Sequence, residues 1–288
     1  MDVTLHTDVG AFAELARPFY AADPVRHTGA LTALRDIERA GGATALISAD
    51  DRDGLGAVLS WHAPFPAVVS GVPAEAAPVV AGALASSHSH LGGVTGPRRE
   101  AEAFAREWCA LTGATVSGEH SNRLYELGEL AEPVGVRGEP RLATAADTGL
   151  LTRWRQAFTR EALPLAPPEA DPAGAVARVI DGGETYGLWC VDGEPVAMAL
   201  ARKPQCGMSR IGYVYTPPEL RGHGYAAAVT AAASRRLREA GVRHVVLFAD
   251  TTNPVSNRVY RRLGYRPILE TAELALRPAG EASVPWTV

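Results

Sequence analysis

A run of six residues, Arg221 to Ala226, has the composition of a loop that binds phosphate groups. It reads Arg-Gly-His-Gly-Tyr-Ala and stands between a predicted strand and a predicted helix. Gly222 and Gly224 permit a tight turn and let the backbone come close to a ligand. The first N–H groups of the following helix have no partners inside it, so they favour an anion at that end. Arg221 adds a positive charge, and the run therefore predicts a diphosphate site.

A second run, residues 253–260, supplies the start of another helix and a phenol. It reads Asn-Pro-Val-Ser-Asn-Arg-Val-Tyr. Asn253 is suited to the N-cap, and Pro254 fits the first helical turn. Asn257 and Tyr260 are three residues apart, so they share one face of the predicted helix.

The elements that position both runs alternate between strand and helix. Residues 211–215 and 244–250 are rich in β-formers and are predicted to be strands. Residues 225–240 are alanine-rich without proline or glycine, which favours a helix. The order is therefore strand, glycine loop, helix, strand and helix, with the last helix ending near Leu263.

A dinucleotide site is the main alternative for the glycine loop. The letters from Gly222 to Ala227 are close to the dinucleotide fingerprint, and Asp250 is a distant candidate for a ribose contact. The approach from the strand contains Pro217 and Pro218, whereas the dinucleotide turn is tight. The 66 residues after Gly222 are also too few for the rest of that fold, which disfavours this alternative.

The pattern Arg-x-x-Gly-x-Ala, formed by Arg221, Gly224 and Ala226, resembles that of the GCN5-related N-acetyltransferase (GNAT) family. The segment from Asn253 to Tyr265 is similar to the same family's region after its fifth strand. The resemblance is specific over about residues 184–270. It implies acetyl-CoA as the acyl donor.

The resemblance also implies where acetyl-CoA binds. In the family, two adjacent strands splay apart and the thioester lies in the gap; here these are the strands ending near Tyr215 and Asp250. Backbone groups of one strand end bind the acetyl carbonyl and the pantetheine arm, the glycine loop binds the diphosphate, and two asparagines lie beside the arm. The residues so assigned are Val214, Tyr215, Thr216, Arg221, Gly222, His223, Gly224, Tyr225, Ala226, Asn253 and Asn257.

Tyr260 falls where the family commonly carries its general acid. A thiol and a phenol have ordinary pKa values of about 8.5 and about 10, so a nearby phenol can protonate a departing thiolate at neutral pH. The resemblance implies direct attack of an amine on the thioester, without a covalent enzyme intermediate. The base that accepts the amine proton stays open between Asp250, Glu184 and water.

The two halves of the chain share an order of elements, which predicts an internal duplication. Each half contains a hairpin with an Asp-Gly turn, at Asp53 and at Asp192. We predict an α/β (α+β) chain with two GNAT-like domains, each a mixed, mostly antiparallel sheet flanked by helices. The domains are residues 1–132 and 139–288, joined by a linker rich in proline and glycine. Residues 70–74 stand where the first half should carry its glycine loop, which predicts a degenerate copy and a single coenzyme site.

Charge and composition limit the classes of partner that the sequence predicts. The net charge of −4 disfavours nucleic acid, and no apolar stretch reaches the roughly 18 residues of a membrane span. Three cysteines without a C-x-x-C pattern and no signal peptide predict a cytoplasmic protein. His88, His90 and His120 lack accompanying carboxylates or cysteines, so no metal site is predicted.

The acceptor is predicted only as a small-molecule amine. Residues 1–138 hold 10 Arg and 17 Asp or Glu, a net charge of −7, which favours a cationic acceptor. The acceptor's identity, the preferred acyl chain and the oligomeric state stay open. A non-catalytic protein that binds acyl-CoA is the alternative function.

Overall fold

The computed structural model describes residues 1–163, 165 and 170–280, and they form two compact units. The first comprises Met1–Ser121 and the chain from Glu270 onward; the second is Asn122–Leu269. These units differ from the predicted boundaries 1–132 and 139–288. Residues 122–126 pair with a strand of the second unit, and the chain after Glu270 pairs with a strand of the first.

Up to residue 280, the first unit contains five complete strands and four α-helices. Its elements are β1 (Asp2–Leu5), α1 (Val9–Ala21), α2 (Thr28–Ala40), β2 (Ala45–Asp51), β3 (Gly54–Trp61), β4 (Ala67–Val68), α3 (Ala77–Ser87), β5 (Gly93–Pro97) and α4 (Arg98–Thr112). Strand β6 (Thr115–Leu127) begins in this unit and ends in the second. Strands β1, β2 and β3 pair in antiparallel order, and β5 pairs in parallel with β4. Phe104 and Trp108 of α4 are fully buried in this unit's core.

Outside residues 164 and 166–169, the second unit likewise contains five complete strands and four α-helices. Its elements are β7 (Glu139–Leu142), α5 (Thr148–Ala162), α6 (Pro172–Asp181), β8 (Thr185–Val191), β9 (Glu194–Ala201), β10 (Met208–Tyr215), α7 (Tyr225–Glu239), β11 (His244–Asp250) and α8 (Pro254–Arg262). Strand β12 (Tyr265–Arg277) begins here and ends in the first unit. Residues 139 and 140, at the predicted start of the second domain, belong to β7, since they pair with Cys190 and Trp189 of β8.

The second unit has a mixed, mostly antiparallel sheet between two helical layers. Strands β7 to β10 are antiparallel, β10 and β11 are parallel, and β11 is antiparallel to the end of β6. Successive side chains of β9 enter different cores, because strand side chains alternate between faces. Ala197 and Ala199 meet residues of α7 and α8, whereas Met198 and Leu200 meet residues of α5 and α6. This confirms the predicted fold class.

Local signals in the sequence set several boundaries correctly. In the two Asp-Gly turns, Gly54 has a φ of +116°, and Asp192 and Gly193 have φ values of +53° and +84°. Helix α4 ends at Gly113, whose φ is +73°. No helix among residues 1–163, 165 and 170–280 combines the length and hydropathy of a membrane span.

A buried histidine links the helical layer of the first unit to its strands. Nδ1 of His27 lies 3.2 Å from the hydroxyl of Ser70, and its ring contacts Tyr20 and Phe19. Burial lowers the pKa of His27 to about 4, although the charge of Asp23 opposes the shift. The folded protein therefore holds this ring neutral at pH values where an exposed histidine is charged.

We expect His27 to make the first unit sensitive to acid. The unfolded chain binds a proton near pH 6.5 and the folded chain only near pH 4, so stability is lost as pH falls through this window. The full loss at His27 is on the order of 3 kcal/mol. Urea unfolding of His27→Gln should show a smaller fall in the free energy of unfolding between pH 6.5 and 4. The exposed His62→Gln is the matched control, and an equal slope in both variants would contradict the assignment.

A second prediction concerns the boundary between the units. A fragment of residues 139–288 lacks β6, so β11 loses its partner from Asn122 to Glu126 and exposes an unpaired edge. A fragment of residues 122–269 keeps that strand and serves as the comparison. We expect thermal unfolding, followed by circular dichroism, to show a cooperative transition for the fragment 122–269 and not for the fragment 139–288. Equal melting temperatures would show that β6 is dispensable for the second unit.

Candidate active site

The backbone ladder between β10 and β11 ends before either strand does. The last paired residues are Ile211 and Leu247, whereas the strands continue to Tyr215 and Asp250. Beyond this pair the two parallel strands part, as the family resemblance implies. The opening lies at the carboxyl ends of both strands, which is where open α/β sheets usually bind ligands.

A bulge in β10 accompanies the opening. Gly212 pairs with Leu200 of β9 and Tyr215 pairs with Met198, so β10 has one residue more than β9 between these points. Tyr213 and Val214 lie in the bulge, and Tyr213 has a φ of +48°. Such a conformation is uncommon for a bulky residue and is frequent where a backbone has to re-aim its polar groups.

The glycine loop has the geometry that its sequence predicts. Gly222 and Gly224 have φ values of +87° and +81°, in the left-handed region that glycine tolerates. Gly224 is the N-cap of α7, and no side chain caps this helix. The ring of His223 stacks on Tyr225 at 5.4 Å, and the carbonyl of Ala226 accepts a bond from Thr230. The N–H groups of the first turn of α7 are thus left for an anion.

Arg221 is held by a carboxylate that sequence reasoning missed. Its Nη2 lies 2.6 Å from Glu161 of α5, and its Nε donates to the carbonyl oxygen of Thr216 at 3.0 Å. Glu161 also accepts from the hydroxyl of Tyr215 at 3.4 Å. Both partners of the ion pair are half-exposed, so the pair orients Arg221 more than it stabilises the fold. Sixty residues separate the two along the chain, and no local pattern connects them.

A polar atom without a partner lies beside the opening. Thr216 follows β10 and is 8% exposed, and its Oγ1 is buried without a hydrogen bond from any described residue. An unpaired buried hydroxyl costs about 1–3 kcal/mol. A ligand atom or a water at this point would remove that cost, which fits the predicted contact of Thr216 with the coenzyme.

Helix α8 begins as predicted and is fastened to the end of β11. The side chain of Asn253 accepts from the N–H groups of Val255 and Ser256. Nδ2 of Asn257 donates to the carbonyl oxygens of Asp250 and Asn253, both at 2.7 Å. Its Oδ1 accepts from the hydroxyl of Tyr125 at 2.7 Å. Asn257 therefore joins α8, β11 and β6, a structural role that the sequence did not reveal.

Tyr260 lies one turn after Asn257 and is 8% exposed. Its ring contacts Tyr125 and Tyr265 with centroids 6.5 and 6.1 Å away. Burial raises the pKa of Tyr260 to about 12. The phenol is consequently a neutral O–H donor throughout the physiological pH range and cannot act as a base there.

The two carboxylates considered as bases have different surroundings. The side chain of Glu184 is fully buried and its Oε2 is 3.0 Å from Arg202, so it forms a structural ion pair. Asp250 is half-exposed at the end of β11, and its Oδ1 accepts from the N–H and hydroxyl of Thr252. Only Asp250 thus combines access to solvent with a position at the opening.

Comparison with known proteins agrees with this geometry. Residues 150–265 match the model of the acetyltransferase (GNAT) family. No curated protein matches the chain in a sequence search. A GNAT-family acetyltransferase from Colwellia psychrerythraea has a similar structure, with a TM-score of 0.61, 12% identity and coverage of 96% of this chain and 100% of that one. A GCN5-related N-acetyltransferase from Sphaerobacter thermophilus has a TM-score of 0.61 and 17% identity, and the match covers 96% of this chain and 95% of that one. A Drosophila protein has a TM-score of 0.64 and 16% identity, and the match covers 95% of this chain and 98% of that one.

The chain therefore contains a domain of the GNAT acetyltransferase family, as the glycine loop indicated. At these identities the structural likenesses show the fold alone, and they extend over nearly the whole chain. The two-domain form with a degenerate first half stays a prediction.

We expect Gly224→Ala to weaken coenzyme binding. A Cβ at Gly224 meets Cγ2 of Val136 at 3.0 Å, and the left-handed backbone itself costs roughly 1–2 kcal/mol for alanine. Gly193→Ala is a matched control, since its φ of +84° is almost the same and its surroundings are open. Calorimetric titration with coenzyme A should show a raised Kd only for Gly224→Ala. Equal Kd values for the two variants would contradict a role of the loop in coenzyme binding.

Proposed function

We propose that this protein transfers an acetyl group from acetyl-CoA to an amine by direct attack, with Tyr260 as the general acid. The observation that carries the proposal is a buried, neutral phenol on the helix that follows the parted strand β11. Burial raises the pKa of Tyr260 to about 12, and Asn257 ties the same helix face to the carbonyl of Asp250. In this proposal the Tyr260 hydroxyl donates its proton at the opening between β10 and β11.

The reaction balances with these groups. The amine nitrogen attacks the thioester carbonyl carbon, the new C–N bond forms, and the C–S bond breaks. The departing thiolate takes the proton of the Tyr260 hydroxyl, and the tyrosine regains a proton from solvent. The surplus proton of the amine goes to water or to Asp250, whose carboxylate is half-exposed at the end of β11.

The residues proposed to hold acetyl-CoA fit its chemistry. The uncapped first turn of α7 and its two left-handed glycines suit the diphosphate. The unpaired hydroxyl of Thr216 and the bulged backbone of Tyr213 and Val214 suit the amide and carbonyl groups of pantetheine and acetyl. None of these coenzyme-binding residues identifies the acceptor more closely than as a small amine. The acidic composition of residues 1–138 favours a cationic one.

Replacing Tyr260 with phenylalanine should lower kcat while leaving the Kd for acetyl-CoA nearly unchanged. Loss of a general acid typically costs about 10²-fold or more in turnover. Thiol release from acetyl-CoA, followed with a panel of amines, measures the rate. Tyr265→Phe is the matched control, because that ring lies in the same cluster and its hydroxyl contacts Ser234 at 2.8 Å.

Two outcomes would overturn this proposal. If Tyr260→Phe kept wild-type turnover across the pH range, Tyr260 would not be the acid. If the wild-type protein bound acetyl-CoA tightly but released no thiol with any amine, the alternative of a non-catalytic acyl-CoA-binding protein would be favoured.

A further inference from the structure

The ring of Tyr213 contacts two side chains of helix α5. The guanidinium carbon of Arg155 lies 4.2 Å from the centroid of this ring. The ring of Phe158 lies 5.1 Å from the same centroid, at an angle of 50°. Arg155 and Phe158 are three residues apart on α5, a spacing that places both side chains on one face of the helix. All three residues belong to the second unit, so these contacts are internal to it.

The backbone of Tyr213 has an unfavourable conformation. Its φ of +48° lies in the left-handed region, which is an outlier for a bulky side chain. Such a conformation persists only where the surrounding contacts determine it. A guanidinium group over a ring and two rings at this separation both attract each other. The contacts of Tyr213 with α5 are therefore interactions that can hold its backbone in this conformation.

Arg155 is itself anchored to the regular part of the sheet. It is only 7% exposed, and its Nη1 donates to the hydroxyl of Tyr186 at 3.3 Å. Tyr186 of β8 pairs with Leu200 of β9, and Leu200 pairs with Gly212, the residue before Tyr213. The guanidinium group thus connects a regularly paired strand to the first residue of the bulge.

The conformation of Tyr213 determines which backbone groups face the opening. The extra residue of β10 lies at Tyr213 and Val214, beyond Ile211, the last residue paired with β11. A bulge re-aims the part of the strand that follows it. If Tyr213 relaxed to an extended backbone, the N–H and carbonyl groups of Val214 and Tyr215 would turn. These are the groups proposed to meet the acetyl group and pantetheine.

We infer that Arg155 and Phe158 are positioning residues that hold Tyr213 in the left-handed conformation and so keep the sheet open at the candidate site. Their effect on the reaction passes through the backbone of the bulge. That effect rests on the proposed acetyl transfer, whereas the conformational role does not.

A double-mutant cycle isolates this role. Arg155→Met removes the planar charge, and Tyr213→Gly removes the ring and leaves a residue that tolerates a positive φ. Hydrogen exchange of the backbone amides of residues 212–216, followed by mass spectrometry, is measured for both single variants and for the double variant. We expect Arg155→Met to speed exchange about tenfold when the Tyr213 ring is present, because the bulge loses a support. In the Tyr213→Gly background the same change should alter exchange less than about twofold.

Arg153→Met is the matched control, because Arg153 is an exposed residue of the same helix. It should leave exchange at residues 212–216 at the wild-type rate. Phe158→Leu removes the other ring contact and takes the place of Arg155→Met in the cycle if that variant does not fold. An equal acceleration with and without the Tyr213 ring would overturn the inference, since α5 would then act through other contacts.

Kinetics measure the catalytic consequence separately. In the thiol-release assay Arg155→Met should lower kcat about tenfold, because the groups that meet the acetyl carbonyl are misplaced. The Kd for coenzyme A, which lacks the acetyl group, should stay within about twofold of wild type, since the diphosphate loop is intact. A raised Kd with unchanged kcat would contradict this role. If the wild-type protein released no thiol with any amine, the proposed function would fail, and the exchange result would still decide the conformational role.

Discussion

After Ile211, strand β10 is no longer paired with β11, although it continues to Tyr215. Strand β11 stays paired with β6 as far as Asp250. Buried backbone groups need partners, so the groups that face the opening must bond to water or to a ligand, while the other edge of β11 remains secure. Strand β6 supplies the secure edge, and the bulge at Tyr213 redirects the backbone on the open side. The other features of the candidate site depend on keeping this interruption open and in place.

Helix α8 is bound to the interruption by a short polar chain. Tyr125 donates to Asn257, and Asn257 donates to the carbonyl of Asp250, where β11 ends. Since Tyr125 and Asn257 are both buried, each of these bonds also removes the cost of an unpaired polar group. The position of Tyr260 relative to the opening is therefore set by β6 as much as by its own helix. The proposed acid role of Tyr260 therefore involves a strand that precedes the family match at residues 150–265.

The parts of the structure that the sequence predicted are those with local causes. The left-handed glycines, the Asn253 N-cap and the apolar face of α7 each follow from residues a few positions apart. The pairing of Tyr125 with Asn257 spans 132 residues and that of Arg221 with Glu161 spans 60, and no periodicity records either. The division into two units likewise depends on long-range pairing, of β6 with β11 and of β12 with β5, which composition does not record.

Residues 70–74 of the first unit are closely packed against the rest of that unit. At residues 70–74, where the first half should carry its glycine loop, the carbonyl of Gly71 accepts from the N–H of Val58, and the hydroxyl of Ser70 contacts His27. A Cβ at Gly71 would lie 2.6 Å from the carbonyl oxygen of Val58, so this glycine serves close backbone contact and leaves no room for a ligand. Pro73 offers no N–H at all. The carbonyl of Gly71 and the hydroxyl of Ser70 are thus bonded within the protein itself, which supports the prediction that residues 70–74 bind no diphosphate.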